Sequence, residues 1–499
     1  MKYYLVVISL FLGSIIVNAQ EENYSILSED SLSMDIGLIP ESLDANVDSL
    51  LNSWHVQYFS KVDDFCHDDN KNVDIPESLY RERLASLPSV VPMDYNNLVR
   101  NSIDLYAERR RTLIRYMLGM ADFYFPIIEK ELDKHGLPLE LKYLAIVESA
   151  LNPTALSRVG AAGLWQFMLP TGKSYGLTIN SLVDERLDPE KATEAACMYF
   201  KDMYALYKDW HLVLAAYNCG PGNVNKAIRR SGGKTNFWEI FPHLPKETRS
   251  YVPLFIAATY IMNYSCEHNI CPIKTNLPLA TDTIMVNKML HFQQVSEVLS
   301  LDIEQIRALN PQFKRDIIPG NAAPVALKLP AAHTYAFVEH EDTVYTHKAE
   351  ELLANIVTVG KDGGSKDSSK ERITYTAKKG ETLYTIANQY GVTARDIRKW
   401  NGLSSNRVNA GKRLVLHIDN GGVALTNNAA NTNTTTAAAT TKEAPKSNGG
   451  FISYRVQSGD SLYSISKKYP GITASTIQQT NGLPNSKIRP GQVLKIPAL

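Results

Sequence analysis

Apolar residues recur at helical spacing through the middle of the chain. The stretches with this spacing include residues 109–125, 188–208, 210–217 and 246–263. Strand-like alternation of apolar and polar residues is scarce there, whereas positions three and four residues apart are repeatedly apolar. The pattern predicts a mainly α domain over residues 88–275. It is preceded by an acidic leader at 20–87, predicted to be partly disordered with short helices.

Glu148 lies on the apolar face of one predicted helix, which is expected to begin near Pro138 because proline is favoured at the first helical position. Residues three, four and seven positions away share a helix face with Glu148, and they are apolar: Leu141, Leu144, Ala145 and Leu151. Glu140 and Lys142 are then expected on the solvent side. A carboxylate on an apolar face is costly unless it is paired or holds a proton. Glu148 is therefore a candidate general acid; the alternative is a glutamate at a helix end that reaches solvent.

A repeat near the C-terminus predicts two copies of one small module. Residues 375–387 align with residues 454–466, and each copy continues to an Asn-Gly-Leu sequence, at Asn401 and Asn481, and to a glycine ten residues later. Each copy is predicted as strand, helix, helix, strand, at residues 372–418 and 452–498, with a flexible linker at 419–450 between them. A degenerate third copy is predicted at 276–335, where Asn310 precedes Gly320 by the same ten-residue step.

The N-terminal residues predict export. An apolar run from Leu5 to Val17 is followed by a small-residue cleavage site after Ala19, which is typical of a signal peptide at 1–19. The run is too short to span a bilayer, and no transmembrane segment is expected. Cys66 is the first cysteine, so an N-terminal cysteine that carries a lipid anchor is not expected. The predicted location is the periplasm, with peripheral association with the outer membrane or the cell wall left open.

Charge and cysteine content exclude several classes of function. The chain has 52 basic and 52 acidic residues, so no nucleic-acid partner is indicated. The histidine and cysteine spacings typical of metal sites are missing from the sequence, and neither a metal nor a cofactor is expected. Of the five cysteines, Cys266 and Cys271 are close enough in sequence to pair in an oxidising compartment. Cys197 and Cys219 are expected in the core.

Three polar clusters in the helical domain indicate a site. The first contains Glu148 and Ser157, and the second is a glycine-rich segment that contains Gln166. The third is a helix end broken by glycines, with Tyr217 and Asn218 at the turn. Taken singly, such clusters are usually turns or ordinary core. Their order and composition together are specific.

These motifs resemble the catalytic domain of the lytic transglycosylases of the soluble-Slt type. The resemblance runs from Glu-Ser (148–149) through Gly-Leu-Trp-Gln-Phe-Met (163–168) and Ala-Tyr-Asn-Cys-Gly (216–220) to Glu-Thr-Arg-Ser-Tyr-Val-Pro (247–253). The last motif and residues 137–143 are similar to the membrane-bound lytic murein transglycosylase D branch. The C-terminal repeats resemble LysM modules, which bind glycans that contain N-acetylglucosamine. The resemblance implies a multidomain protein, with a mainly α, goose-lysozyme-like catalytic domain and small α+β modules.

By this resemblance, Glu148 is the sole catalytic acid and base. It would protonate the β-1,4 glycosidic oxygen between N-acetylmuramic acid and N-acetylglucosamine in peptidoglycan. It would then deprotonate the muramoyl 6-hydroxyl, which leaves a 1,6-anhydro end. Ser157 and Gln166 match family positions that contact the substrate, and Tyr217 is expected to hydrogen-bond near Glu148 or the sugar. Asn218 and Tyr251 are substrate-binding candidates for which a structural role is the alternative.

Two other functions are compatible with the same motifs. A hydrolytic muramidase would need an acidic residue that holds a water molecule; Asp184, Glu185 and Asp188 are candidates, although their motif is also typical of a helix cap. A non-catalytic scaffold would bind peptidoglycan glycan strands through the LysM modules alone, but it would have no need of a buried Glu148. In each case, two modules on a flexible tether are expected to raise the local concentration of the chain at the wall.

Overall fold

The structure is a computed structural model that describes residues 72–273, 275, 277–278, 280–321, 323–353, 356–358, 370–419, 423–425, 451–456, 465, 469, 474–481 and 492–497. The chain divides into two compact units, Met1–Asn428 and Ala429–Leu499. The predicted signal peptide at 1–19, the leader as far as residue 71 and most of the linker at 419–450 lie outside the described residues.

The first part of the larger unit is helical, as the apolar spacing predicts. Its α-helices are α1 Glu77–Ser86, α2 Asn97–Asp104, α3 Arg111–Lys134, α4 Leu144–Ser149, α5 Leu169–Ser174, α6 Pro189–Tyr207, α7 Trp210–Cys219, α8 Pro221–Arg230, α9 Phe237–Ile240, α10 Lys246–Arg249 and α11 Tyr251–Asn263. Short 3-10 helices cover Leu139–Tyr143, Phe241–His243 and Cys266–His268, and a π-helix covers Leu105–Arg109. The prediction of a mainly α domain is confirmed.

Helix α11 is at the centre of this domain. Eleven of its 13 residues are buried, as expected for a helix that is apolar on every side. It packs against α2, α4 and α7. Because α4 carries Glu148 and α11 begins at Tyr251, this packing positions the candidate site.

The solvent-side prediction for Glu140 is wrong. Glu140 is 8% exposed, and its carboxylate accepts hydrogen bonds from Ser89 Oγ at 2.8 Å, from Val91 N at 2.7 Å and from Val90 N. These donors replace water around the buried charge. Glu140 lies in the 3-10 helix Leu139–Tyr143, whose period differs from that of an α-helix, so it does not take the face that α-helical spacing predicts.

The predicted pairing of Cys266 with Cys271 is also wrong. Cys266 is a free and exposed cysteine, whereas Cys271 is disulfide-bonded. Closeness in sequence does not bring two thiols into bonding geometry, since the positions and directions of both Cβ atoms must match. Cys197 is buried, as expected, and Cys219 is partly buried.

Two small α+β modules complete the larger unit. In the first, β1 (Thr281–Val286) pairs antiparallel with β4 (Val325–Pro330), and a short pair forms between β2 (Met289–His291) and β3 (Ile317–Pro319). Its helices are α12 Phe292–Leu299, α13 Ile303–Leu309, α14 Ala331–Glu339, α15 Glu341–Thr346 and α16 Ala349–Leu352, with a 3-10 helix at Lys314–Asp316. The order β1, α12, α13, β4 is the order predicted for the degenerate copy.

The next module has the predicted strand, helix, helix, strand order. Strand β6 (Lys370–Thr376) and strand β7 (Arg413–Asp419) pair antiparallel and enclose α17 (Leu383–Tyr390) and α18 (Ala394–Asn401). A further pair joins β5 (Ile356–Thr358) to β8 (Val423–Leu425). Part of the predicted linker at 419–450 is therefore a strand, because it finds a pairing partner more than 60 residues upstream.

The smaller unit repeats the same plan in its described residues. Strand β9 (Phe451–Arg455) pairs antiparallel with β10 (Val493–Pro497), and α19 (Ala474–Thr480) lies between them in the chain. A small core of its own contains Val456, Ile465, Ile477, Leu494 and Ile496.

One asparagine holds the last strand in each of the three copies. Asn310, Asn401 and Asn481 each follow or end the second helix of their copy. Each side chain accepts a bond from a backbone N–H of the last strand and donates to the carbonyl of the same residue, at 2.7–2.8 Å; the strand residues are Lys328, Val415 and Lys495. The amide thus pairs with the strand edge as a neighbouring backbone would. This shared contact supports reading residues 276–335 as a third copy.

Candidate active site

Glu148 lies in the last turn of α4, where the helix ends abruptly. The next two residues, Ala150 at φ 53° and Leu151 at φ 58°, have left-handed backbone conformations. Each costs an L-residue about 1–2 kcal/mol, and both are fully buried. Packing therefore holds a strained turn directly after the carboxylate, as is frequent at functional sites.

Tyr251 is the hydrogen-bond partner of Glu148. Its hydroxyl donates to Glu148 Oε1 across a sequence separation of 103 residues. Burial raises the pKa of Glu148 from 4.5 to about 7, and the Tyr251 bond acts in the opposite direction. Glu148 keeps part of its surface accessible, while Tyr251 is 2% exposed. The carboxyl is thus desolvated yet open to a ligand on one side.

Tyr217 is within electrostatic reach of Glu148. Burial raises the pKa of Tyr217 well above its ordinary value, and the charge of Glu148 raises it further. The Tyr217 hydroxyl donates to the backbone carbonyl of Trp165 at 2.7 Å. Trp165 is fully buried, and its indole N–H donates to Thr193 Oγ1 at 2.9 Å. The tyrosine therefore fixes the glycine-rich segment against α7.

The glycine-rich segment is tightly folded around Gly163. Gly163 has φ +85°, and a Cβ there would lie 1.8 Å from the carbonyl oxygen of Arg186, so only glycine fits. Gln166 also has a left-handed backbone, at φ 47°. Its side-chain amide donates to Gly163 O at 2.9 Å and to Ala155 O at 3.2 Å. These bonds orient the partly buried Gln166 at the edge of the segment.

Ser157 and Asn218 make contacts of a different kind. Ser157 Oγ accepts from Ala161 N at 2.9 Å and closes the loop between them. Asn218 is exposed, and its Oδ1 accepts from Thr248 Oγ1 at 2.8 Å, which ties the end of α7 to α10. Of the residues predicted for the site, the structure brings Tyr251 and Tyr217 to Glu148, and it engages Ser157 and Asn218 in local bonds.

The three acids considered for a hydrolytic water are engaged in the framework. Asp184 forms a buried ion pair with Arg186 at 2.8 Å. Glu185 pairs with Lys191. Asp188 accepts from backbone N–H groups at 3.0 and 3.1 Å as the N-cap of α6. The helix-cap prediction is confirmed for Asp188, whereas Asp184 and Glu185 have other partners.

Three side chains of the helical domain could together hold a metal ion. Ligand atoms of Glu131, His135 and Glu194 all lie within 4.8 Å of one another. The ammonium group of Lys134 binds both carboxylates, at 2.9 Å to Glu131 and 3.2 Å to Glu194. A cation of the protein itself therefore balances this charge. Among the residues that the structure describes, no helix combines the length and apolar composition needed to cross a membrane.

The helical domain and each of the three modules match a known protein family. Residues 125–240 match the family described as Transglycosylase SLT domain. Residues 280–346 match the family described as Lytic transglycosylase MltD, LysM-like domain, and residues 375–416 and 454–497 match the LysM domain. Glu148, Ser157, Gln166, Tyr217 and Asn218 lie inside the first match.

Individual proteins are similar to this chain over different shares of its length. Membrane-bound lytic murein transglycosylase D of Escherichia coli (strain K12) is 28% identical over 405 residues, which are 80% of this chain and 82% of the relative. N-acetylmuramoyl-L-alanine amidase sle1 of Staphylococcus aureus (strain USA300) is 38% identical over 123 residues, 24% of this chain and 33% of the relative. Among solved structures, the 70 kDa soluble lytic transglycosylase SLT70 of Escherichia coli has a TM-score of 0.26 at 28% identity and covers 30% of this chain and 25% of that chain.

The SLT domain, which contains Glu148, defines an enzyme of the lytic transglycosylase class. The similarity also covers the MltD LysM-like domain and most of both chains, and this identifies the branch within the class. The chain is a homologue of lytic murein transglycosylase D, with LysM modules at its C-terminal end.

Proposed function

We propose that the protein cleaves the β-1,4 bond between N-acetylmuramic acid and N-acetylglucosamine in peptidoglycan and leaves 1,6-anhydro-muramoyl ends. The observation that carries this proposal is the raised pKa of Glu148, about 7, in a carboxyl that is hydrogen-bonded by Tyr251. Glu148 lies inside the match to the SLT family, which supports assigning the chemistry to this residue.

In the first step, Glu148 acts as the acid. A carboxylic acid with a pKa of about 7 is protonated in about half of the molecules at neutral pH, compared with about one in 300 at the ordinary pKa. Its proton passes to the glycosidic oxygen. The bond between that oxygen and C1 of the muramoyl residue breaks, and its electron pair stays with the leaving oxygen. Positive charge develops on C1 and the ring oxygen.

In the second step, the Glu148 carboxylate acts as the base. It takes the proton of the muramoyl 6-hydroxyl while O6 bonds to C1, so that Glu148 is protonated again at the end of the cycle. The Tyr251 hydroxyl donates to the carboxylate between the two steps, which stabilises its charge. Water is not consumed, and the substrate itself supplies the nucleophile. An ordinary glycosidase requires a second protein carboxylate, but neither step of this reaction uses one.

The surrounding residues are proposed to hold the sugar. Ser157 and Gln166 lie on partly exposed loops whose shape is fixed by local bonds, which supports a role in positioning the strand. Tyr217 and Asn218 lie at the end of α7 and are proposed to border the same cleft. Tyr251 contacts Glu148 and is proposed to position it and adjust its pKa.

The modules and the location complete the proposal. The LysM matches imply binding to peptidoglycan; we assign this binding to the glycan strands. The predicted signal peptide at 1–19 supports a site of action in the periplasm. The Escherichia coli relative is named as membrane-bound, and peripheral association with the envelope is proposed by analogy.

Digestion of purified peptidoglycan with the mature protein tests the reaction. Mass spectrometry is expected to find fragments about one water lighter than those that a lysozyme releases from the same material. A Glu148→Gln variant should release none, whereas Glu82→Gln, an exposed control on α1, should behave as the wild type. Reducing ends would instead identify a hydrolase. Binding without any release by the wild type would identify a scaffold.

A further inference from the structure

A pocket lies between the helical domain and the LysM module at residues 372–418 (the first LysM module), and Glu148 is not among its lining residues. Its volume is about 190 Å³. Residues 159, 160 and 168–170 form one wall, and residues of α17, α18 and the segment that follows them form the other. Both walls belong to the larger unit. The pocket is therefore composite, since neither domain would form it alone.

Specific contacts hold the two walls together. Arg186, which is fully buried, donates from Nη2 to Asn388 Oδ1 at 3.2 Å. Lys314, from the preceding α+β module, bridges the two sides by donating to the carbonyls of Asn180 and Asn388, both at 2.9 Å. Gly391, at φ +66°, approaches Asn180 so closely that a Cβ would lie 2.7 Å from its Cα. The module packs against the helical domain through buried polar bonds and close backbone contact. Such an interface fixes the position of the module in a way that a flexible tether would not.

Three polar atoms of residues that line the pocket have no hydrogen-bond partner among the described residues. They are Asn388 Nδ2, Arg398 Nε and Asn406 Oδ1. Asn388 is 7% exposed. Its amide orientation is determined by Arg186, which has only donors and must face Oδ1. Asn388 Nδ2 therefore faces Gly160. A Cβ added to Gly160 would lie 3.1 Å from this nitrogen. Buried polar atoms without partners are rare, and each needs an explanation, of which a bound ligand is one.

The set of groups favours one kind of ligand. Two of the free atoms are donors and one is an acceptor, and the wall also contains the apolar side chains of Met168 and Val392. An acetamido group matches all three features, because its carbonyl accepts, its N–H donates and its methyl group is apolar. A peptide carboxylate would satisfy the donors but would leave the Asn406 oxygen facing a negative charge.

The loop 157–161 connects this pocket to Ser157, a proposed substrate contact. Ser157, a candidate substrate contact, is bonded to Ala161 N through its side chain and to Gly160 N through its carbonyl at 3.0 Å. Val159 and Gly160 of the same loop line the pocket. Since residues two apart in a chain are at most about 7 Å apart, the pocket begins immediately beside the Ser157 position.

From these observations we infer that the pocket is a further substrate subsite, shared by the catalytic domain and the first LysM module. It takes an acetamido sugar of the same glycan strand whose bond lies at Glu148. The inference rests on the proposed function and adds to it. The first module then extends the cleft and selects strands long enough to reach it, instead of acting only as a mobile anchor.

Binding to peptide-free glycan strands tests this inference in the complete mature chain. All variants carry Glu148→Gln, so that strands stay intact. Arg398→Met removes a free donor from one wall, with the exposed Lys399→Met on the same helix as its control. Val159→Trp obstructs the other wall at a residue that is 53% exposed, with Val338→Trp, 62% exposed, as its control. Each wall variant is expected to weaken the affinity for long strands about fivefold, and neither control should change it.

Short strands that fill only the cleft at Glu148 should bind equally to all variants. Loss of affinity from Arg398→Met alone would place the site in the LysM module and overturn the shared subsite. Equal affinities in all variants, or an effect confined to strands that carry stem peptides, would also overturn it. Failure of the proposed reaction is seen separately, as the absence of anhydro products from the wild type. Unchanged melting temperatures of the wall variants verify that they fold.

Discussion

Replacing Glu148 with glutamine should make the stability of the catalytic domain less dependent on pH. Glutamine has the shape of the neutral acid and can still accept the Tyr251 hydrogen bond. Burial raises the pKa of Glu148 from 4.5 to about 7, so the folded protein holds a proton that the unfolded chain releases between these values. The wild type therefore loses stability as pH rises through this window, and the variant does not.

The size of the effect follows from the same pKa difference. Each pKa unit corresponds to about 1.4 kcal/mol, so ionised Glu148 lowers the free energy of unfolding by about 3 kcal/mol above pH 7. Below pH 4.5 both states are protonated and the cost vanishes. For a domain of this size, about 3 kcal/mol changes the melting temperature by about 6 to 12 °C.

Thermal unfolding at pH 4 and pH 8 measures the difference directly. Glu148→Gln should melt at nearly the wild-type temperature at pH 4 and well above it at pH 8. Glu82→Gln, which is exposed on α1, controls for the loss of one negative charge and should match the wild type at both pH values. If the difference between Glu148→Gln and the wild type were the same at pH 4 and pH 8, the carboxyl would not be desolvated. Glu148 would then lack the raised pKa that a general acid needs at neutral pH.

Two further predictions concern the surroundings of Glu148. Tyr251→Phe removes the bond that lowers the Glu148 pKa, so the pH above which kcat/KM falls should rise by about one unit or more. The Tyr217 hydroxyl binds a backbone carbonyl instead, so Tyr217→Phe should reduce kcat/KM without changing that pH. Gly163→Ala places a Cβ 1.8 Å from a carbonyl oxygen at φ +85° and should destabilise the domain by more than about 3 kcal/mol in denaturant unfolding. Gly222→Ala, with open space around its Cβ position, should leave stability within about 1 kcal/mol of the wild type, and an equal loss in both variants would contradict the steric explanation.

Local patterns in the sequence predicted most of the fold. The segment 188–208 was expected as a helix, and the structure has Pro189–Tyr207 with Asp188 as its N-cap. Its apolar periodicity and its capping residue lie within one continuous segment. The LysM copies were predicted for the same reason, because each repeats its own turn and helix signals. By contrast, the apolar spacing predicts one helix over 246–263, and the structure has two, Lys246–Arg249 and Tyr251–Asn263.

Predictions that depend on distant contacts were less successful. Glu140 is buried by three donors that precede α2, and Val423–Leu425 is a strand because Ile356–Thr358 pairs with it. Neither partner is visible from the local sequence. Tyr251 was a candidate only through its motif, and its contact with Glu148 spans 103 residues. A tyrosine at the first position of an otherwise apolar, buried helix was the available signal, because a buried hydroxyl needs a partner.

Residues with unfavourable backbone conformations or buried charge occur in neighbouring segments of the larger unit. Ala150 and Leu151 have left-handed backbones after Glu148, and Gln166 has another in the glycine-rich segment. Gly163 of that segment packs directly against the backbone of Arg186. Arg186 is a fully buried cation that also binds Asn388 of the first LysM module. Strain and buried charge are retained where they shape a site. The strained turn directly follows Glu148, and the buried charge of Arg186 holds the module. Both features fit the proposal of a cleft that extends from Glu148 to the composite pocket.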